Sequence, residues 1–597
     1  MCLQAIALQA SASIGFESAP IIYRGAFFLQ AHFIMPKIRI QIVIAIVGSG
    51  LIGFLLYTQS LGLLVSISPA PGGTFVEGVI GEPRDLNPLL FSYHGPDRDI
   101  TKLVYAGMMR FDGSGQPTPD LSESWAVTAD GLSYTFVIRS GLRWHDGVPL
   151  SLDDVIFTIG LMQSADYPGP ADVGELWKQV TVAKLNNSTL KLTLPEPYAP
   201  FLDHVTFPIL PSHMFSGVRA ADLKLHPANL SPVGSGPFQV EGLILGDEES
   251  LPEVVLVANP FYHGIAPMLS GIKIKYYPDE TSAIEALEQG EVMGIGGLSQ
   301  AGIASMLTND DFDIHSSLLP ETKMILLNQQ NESLRFFKDK KVRSALLLGL
   351  NREFFVKQFL SGQAVLATGP IPPGNWAYND SLKNVDYDPS IAADMLNESG
   401  WVLPETSVLG AKDNFVLQKD GKELRFELLV PNDDLSVALG KIAVDDWGQL
   451  GVSVLLQPVK PDVLEQEYLD TRDFQAVMIT LSLQRTPDPD PYPFWHQTEI
   501  ESGQNYSGYD SRIISEYIEQ ARTTPSISNR SSLYHMFQRR FVDDTPALLI
   551  YHPVYSYVTN NIVHGVQMGP ILEPSDRFNG IAKWYIVIRR VVGGLSN

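Results

Sequence analysis

The chain has 597 residues, 45% apolar and 18% charged, with a formal charge of -24; this is the composition of a globular protein with sizeable cores, roughly four domains' worth, and it excludes a disordered or fibrous chain. The acidic balance excludes the basic footprint that phosphate neutralisation demands, so no nucleic-acid partner is expected. One cysteine, Cys2, excludes intramolecular disulfides and Cys-ligated zinc or iron–sulfur centres.

Residues 1–34 lack clear organisation and read as a non-native or disordered extension, with Met35-Pro36-Lys37 the natural start of translation. Mass spectrometry finding residues 1–34 in the cellular protein would overturn that reading. No charge occurs between Arg39 and Glu77, and the 28 residues from Ile40 to Ile67 are predominantly apolar. About 20 such residues cross a bilayer, so the run predicts a single transmembrane helix. Lys37 and Arg39 precede it, which places the N-terminus in the cytoplasm and the main body outside. A cleaved signal is the competing reading, but its apolar stretch is shorter, and Pro69 and Pro71 stand where cleavage would fall. No cysteine follows the run, so a lipoprotein anchor is excluded. Residues 35–73 are thus a membrane anchor and linker.

Beyond Gly73 the pattern is mixed α/β. Tyr134–Ile138, Leu190–Leu194 and Ile272–Tyr276 read as strands by alternation or β-branched content. Thr281–Gln289 reads as a helix closed by Gly290. Val342, Ala345, Leu346, Gly349 and Leu350 share one helical face. Then Phe426–Val430, Ser436–Leu450, Val452–Val459, Pro461–Leu469 and Phe474–Thr480 alternate strand, helix, strand, helix, strand. That order implies a parallel sheet whose ligands gather beyond the strand ends, here at residues 480–490.

Most motifs have a structural use. His145-Asp146-Gly147 reads as a turn with His145 packed beneath it. Asp153 and Asp154 read as helix-starting carboxylates. Gly234-Ser235-Gly236 lacks the Lys-Ser/Thr of a phosphate loop and reads as a close crossing or hinge. Tyr387-Asp388-Pro389 starts a helix. Asp488-Pro489-Asp490-Pro491 is a stiff loop that either presents side chains to a ligand or forms an Asp-Pro turn.

The segments Trp125–Phe136, Arg139, Gly141–Leu150 and Asp153–Val155 together resemble the signature of the family 5 extracellular solute-binding proteins, the peptide, nickel and oligosaccharide receptors of ABC importers. Leu86-Asn87-Pro88, Val104–Gly107, Gly234–Phe238, Leu287–Val292, Lys341–Ala345, Asn351–Glu353, Tyr387–Pro389, Gly400-Trp401, Asp488–Asp490 and Asn505–Tyr509 continue the resemblance in colinear order over about residues 74–590. It implies a two-lobed periplasmic-binding-protein-like α/β fold of type II, in the large three-subdomain version, behind the N-terminal transmembrane helix. Lobe I would hold residues 74–320 and 555–597, with an inserted subdomain at about 104–227; lobe II would hold 321–554. Ile581–Ile586 matches the family's terminal strand and motivates the discontinuous first lobe.

The implied function is the extracytoplasmic solute-binding component of an ABC importer. It would be a monomer anchored in the bacterial cell membrane by one helix, its body in the periplasm or at the cell surface, capturing a peptide-like or other small polar solute and delivering it to the permease subunits. No cofactor and no metal is expected. In peptide-binding members an acidic residue shortly before the Asp-Pro-Asp motif takes the ligand's amino group. Here Leu483-Gln484-Arg485-Thr486 occupies that stretch, so Arg485 suits an anionic or hydroxyl-rich ligand. Candidate ligand-binding residues are Gln484 and Arg485, Asp488 and Asp490, with Tyr105, Trp495 and Tyr509 as apolar walls. Two alternatives stand beside this. One is an extracellular carboxylate-dependent hydrolase, although no nucleophile elbow, His-Glu-x-x-His helix or Walker loop supports an enzyme. The other is a ligand sensor or chaperone that kept the binding fold.

Overall fold

The computed structural model describes residues 42–56, 65–84, 86–90, 95–113, 115–244, 252–404, 416–483 and 486–592. The expectations for residues 1–34 and for the start at Met35 lie outside these. The chain divides into two units, one drawn from both ends of the chain and the other Pro69–Val587. In the first, residues 42–56 are helical with exposed apolar side chains, and Val65–Pro69 pairs with Ile588–Val592 as a two-stranded ribbon. Among the described residues no helix is long and apolar enough to cross a membrane.

The second unit is built on a twelve-stranded sheet. Its strands are β1 (Thr74–Ile80), β2 (Phe238–Ile244), β3 (Glu253–Ala258), β4 (Gly271–Tyr277), β5 (Gly294–Gly296) and β6 (Phe312–Leu318). They continue as β7 (Glu321–Leu327), β8 (Ala364–Leu366), β9 (Arg425–Pro431), β10 (Ser453–Val459), β11 (Ala476–Ser482) and β12 (Ala547–Asn560). The spatial order is β10-β9-β11-β7-β12-β5-β1-β4-β3-β2, with β6 and β8 also pairing β12. At 14 residues β12 serves both halves of the sheet. Its first part pairs with β7 and β8, and Val554–Asn560 pairs with β6.

The alternating elements after Phe426 form as their sequence predicts. β9 runs parallel to both β10 and β11. The helix over Asp434–Gln449 buries Leu439, Ala443 and Trp447, and the Trp447 indole donates to Leu346 O at 2.8 Å. Gly451 closes the helix with φ +81°, a conformation that favours glycine. Tyr134–Ile138 lies within strand Ser133–Ile138 and Leu190–Thr193 within strand Thr189–Thr193 of a separate four-stranded sheet, with Leu194 just past its end. The helix Leu152–Met162 packs nearby, its start fixed by a reciprocal Ser151–Asp154 cap.

His145 is a strut: Gly234 N donates to Nδ1 at 3.1 Å, and Nε2 meets Gly236 O at 3.2 Å. Those glycines are required sterically, because a Cβ on Gly234 would lie 1.9 Å from Val104 O.

Three large cores hold the unit together. The first contains Phe75, Phe136, Trp177 and Trp584, with Phe75 and Trp584 edge to face at 5.5 Å. The second gathers Ile325, Val342, Trp447 and Ile550; the third gathers Met324, Tyr534 and Phe541. A buried ion cluster ties the two ends of the first core. Arg577 Nη2 lies 2.8 Å from Glu77 and 2.6 Å from Asp99, and the Tyr557 hydroxyl donates to Glu77 at 2.5 Å. Buried charge is tolerated only with such full pairing.

Candidate functional site

Two adjoining cavities lie inside the Pro69–Val587 unit. One, of about 320 Å³, is walled by Tyr105, Trp177, Phe207 and Tyr262, with Asp203 and His204 on its lining. The other, of about 330 Å³, is bounded by Leu318–Pro320 where β6 passes to β7, by Pro372–Trp376, by Pro487 and by Met568–Leu572. Phe111, Leu572, Asp576 and Asn579 border both. Each volume is at the lower end of small-molecule sites, roughly 300–1,000 Å³.

Of the candidate residues, Tyr105 is brought to the first cavity, 7% exposed, with burial pushing its phenol well up from the ordinary value. Gln484 and Arg485 lie outside the described residues. Asp488 and Asp490 are engaged by protein groups. The Tyr534 hydroxyl donates to Asp488 Oδ1 at 2.6 Å, and Arg530 Nε lies 3.0 Å from Oδ2 as an ion pair whose N–H does not point along the contact. Arg522 forks onto Asp490, Nε at 3.1 Å from both oxygens and Nη2 at 2.9 Å.

Trp495 and Tyr509, expected as apolar walls of the cleft, pack in the third core. Trp495 is 3% exposed and edge-on to Phe541 at 4.6 Å, where a large aromatic surface is best removed from water. Tyr509 is 5% exposed and its hydroxyl donates to Asp544 at 2.5 Å. Neither lines either of the two cavities described above.

Several residues at this site had no motif. The short helix Ala199–Thr206 carries Asp203, whose Oδ2 accepts the Asp488 N–H at 2.9 Å. Tyr198, just before it, donates to Asp490 at 3.3 Å and lies 5.3 Å beneath the Arg522 guanidinium. Arg522 also covers Tyr492 at 4.2 Å, and Arg530 covers Trp376 at 5.0 Å. The cluster thus joins residues 198–204 to residues 488–534 through three carboxylates and two guanidiniums. Burial and the neighbouring Asp488 push Asp203 up to about 8, while desolvation beside Arg522 pulls His204 down to about 4. Burial also raises Asp488 despite Arg530. The only trace in the sequence was two acids, a histidine and a tyrosine together in the proline-rich stretch Pro195–Pro208.

The pattern of the bacterial extracellular solute-binding proteins, family 5, matches residues 116–503. The chain belongs to this family. It is an extracytoplasmic solute-binding protein and not an enzyme, which disposes of the hydrolase alternative. The oligopeptide-binding protein AppA of Bacillus subtilis is 29% identical over 526 residues, covering 87% of this chain and 92% of that one. The nickel-binding periplasmic protein of Escherichia coli is 26% identical over 506 residues, covering 82% and 90%. The solved structure of the Bacillus subtilis AppA with a nonapeptide superposes with a TM-score of 0.64 at 27% identity, covering 87% of this chain and all of that one. The fold is therefore the α/β binding-protein fold of this family.

Proposed function

We propose that this protein captures a small peptide-like or other polar solute between two lobes and delivers it to the permease of an ABC importer. The observation that carries this is the cavity of about 330 Å³ at the passage from β6 to β7, with walls from Phe111 and Met568 on one side and Trp376 and Pro487 on the other. The lobes are residues 74–320 with 555–597, and residues 321–554. This division is supported by the shared core of Phe75 and Trp584 and by the separate core of Ile325, Trp447 and Ile550. Binding of oligopeptide and nickel by the relatives supports a polar solute.

A thermal-shift screen against peptides, sugars and metal chelates tests the reading. A ligand at a hundredfold excess over Kd adds about 2.7 kcal/mol. No shift with any class would overturn it.

The apolar run Ile40–Ile67 holds the protein at the membrane, a reading supported by its lack of charge and by Lys37 and Arg39 ahead of it. A chain starting at Gly72 should be soluble, monomeric and competent to bind. Loss of binding in that chain, with retention by the full chain in detergent, would place the run within the folded unit.

A further inference from the structure

We propose that the C-terminal strand Ile588–Val592 is a second membrane contact, laying a basic and apolar ribbon on the surface of an anionic lipid bilayer. This rests on the reading that Ile40–Ile67 holds the protein at the membrane, and it concerns no part of the solute site.

The inference starts from a strand pair at the end of the apolar run. Val65–Pro69 pairs with Ile588–Val592, so Val65 and Ile67, the last apolar residues of that run, already belong to the ribbon. Only positions 57–64 separate it from the helix over residues 42–56, and Leu61, Leu63 and Leu64 are among them. Apolar side chains so close to a spanning helix stay at the bilayer boundary, where burying them removes them from water. Neighbouring strands lie about 4.8 Å apart, so a strand paired with that stretch is brought to the same boundary. In the body the pairing carries on, with Ala70 N–H donating to Val587 O at 3.0 Å.

The composition of the tail fits that place. The chain carries a formal charge of -24, yet no acid follows Asp576, while Arg577, Lys583, Arg589 and Arg590 do. Arg577 is committed to the buried Glu77 and Asp99. Lys583 and Arg589 are exposed, and among the described residues neither meets a carboxylate. Ile588, next to Arg589 in sequence, is an apolar residue left 49% exposed.

An acidic body is repelled by anionic lipid as a whole, but that repulsion is screened beyond the Debye length of about 8 Å. A basic strand held at the surface lies inside that length. Its guanidiniums offer forked donors to lipid phosphates, while the isoleucine and valines beside them enter the headgroup boundary. Such a contact is weak alone. Beside a spanning helix it has only to order the tail, not to recruit the protein.

The full chain tests this, with Cys2→Ser and Asn597→Cys placing one fluorescent dye at the C-terminus. It is reconstituted into vesicles of phosphatidylcholine alone, and of equal parts phosphatidylcholine and phosphatidylglycerol, each with a trace of lipid carrying a quencher on its headgroup. Flotation with the neutral vesicles reads the helical anchor, and the dye reads the tail. The expected result is flotation with both, stronger quenching in the anionic vesicles, and loss of that difference in about 1 M salt, where the Debye length is about 3 Å. Arg589→Gln with Arg590→Gln should weaken the contact of the tail by roughly 30-fold, about fivefold for each charge, and leave flotation unchanged. The comparison of lipids needs no arginine variant, so misfolding of that variant leaves it intact. Equal quenching in the two compositions, or a difference that survives salt or the loss of both arginines, overturns the assignment with the anchor still in place. Flotation with neither vesicle overturns anchor and tail together, whereas flotation with the anionic vesicles alone overturns the anchor and upholds the tail.

Discussion

The backbone N–H of Asp488 donates to Asp203 Oδ2 at 2.9 Å, across 285 positions of sequence. Asp488 itself is 2% exposed and is held from its other side by Tyr534 and Arg530. The loop Asp488-Pro489-Asp490 is therefore clamped between the short helix Ala199–Thr206 and the helix Ile527–Asp544. Under the lobe division proposed above, this contact joins a residue of each lobe, 203 and 488.

Removing one partner of this buried pair should be far worse than removing both. Arg530→Met leaves Asp488 buried and unpaired, which should cost about 3–5 kcal/mol. Adding Asp488→Asn should recover most of that, since no uncompensated charge remains. Urea denaturation of the two variants checks it, and an equal loss in both would mean that the ion pair itself contributes little beyond packing.

Stability should peak near pH 6.5. His145, His204 and His552 are each pulled by desolvation to about 4 in the folded protein. The unfolded chain takes up those protons first, so stability is lost as pH falls from about 6.5 towards 4. Asp203 acts in the opposite direction. Its folded value of about 8 lies above the ordinary 3.8, so the folded state holds the extra proton and stability declines as pH rises through that window. Below 6.5 the three histidines outweigh it; above 6.5 Asp203 dominates. One proton per pH unit is about 1.36 kcal/mol, or roughly 2 kcal/mol between pH 6.5 and 8. Calorimetric melting across pH 4–9 should show the maximum, and Asp203→Asn should flatten the alkaline limb.

Two glycine-to-alanine changes should have opposite signs. A Cβ on Gly234 meets Val104 O at 1.9 Å, an obstacle of backbone that no rotamer change relieves. Gly234→Ala should lose at least the roughly 3 kcal/mol of severe overpacking. Gly160, inside the helix Leu152–Met162, has nothing within 4 Å of its added Cβ. Gly160→Ala should gain about 0.5–1 kcal/mol from helix propensity and backbone entropy. Urea midpoints of the pair decide it, and similar shifts in both would remove the steric reading of Gly234.

The strands and helices from Phe426 to Thr480 were legible because their signals are local: a buried helical stripe ending in Gly451, and short β-branched runs between. Ile581–Ile586, expected from the resemblance as a terminal strand, instead ends the short helix Pro574–Lys583 and makes a single bridge between Tyr585 and His564, because Trp584 turns into the core. The charged cluster was not legible at all. Asp203, Asp488, Arg522 and Arg530 come from segments up to 327 positions apart, and nothing in the local pattern of one acid says which guanidinium will face it. For Trp495 and Tyr509 the sequence is ambiguous, because an aromatic beside a loop of strand ends fits a ligand wall and a core equally well. Burial, which separates those uses, is a property of the packed molecule.

Arg485 offers the last test, one that rests on sequence because the residue lies outside the described structure. It stands in Leu483-Gln484-Arg485-Thr486, directly after β11, a strand parallel to β9 at its start and antiparallel to β7 along its length. A guanidinium there has forked donors suited to a carboxylate or phosphate. Arg485→Ala should therefore cost about 1.5–3 kcal/mol, roughly 10–150-fold in affinity, for a solute with such a group. Arg485→Lys should restore only part, because a point charge cannot supply two parallel hydrogen bonds. The same titrations with a C-terminally amidated tripeptide separate a carboxylate contact from a general electrostatic one: amidation should weaken wild-type binding as much as the alanine change does, and add nothing in Arg485→Ala. Equal affinities across the three proteins would show that Arg485 points to solvent, and the anionic end of the solute would have to be sought elsewhere.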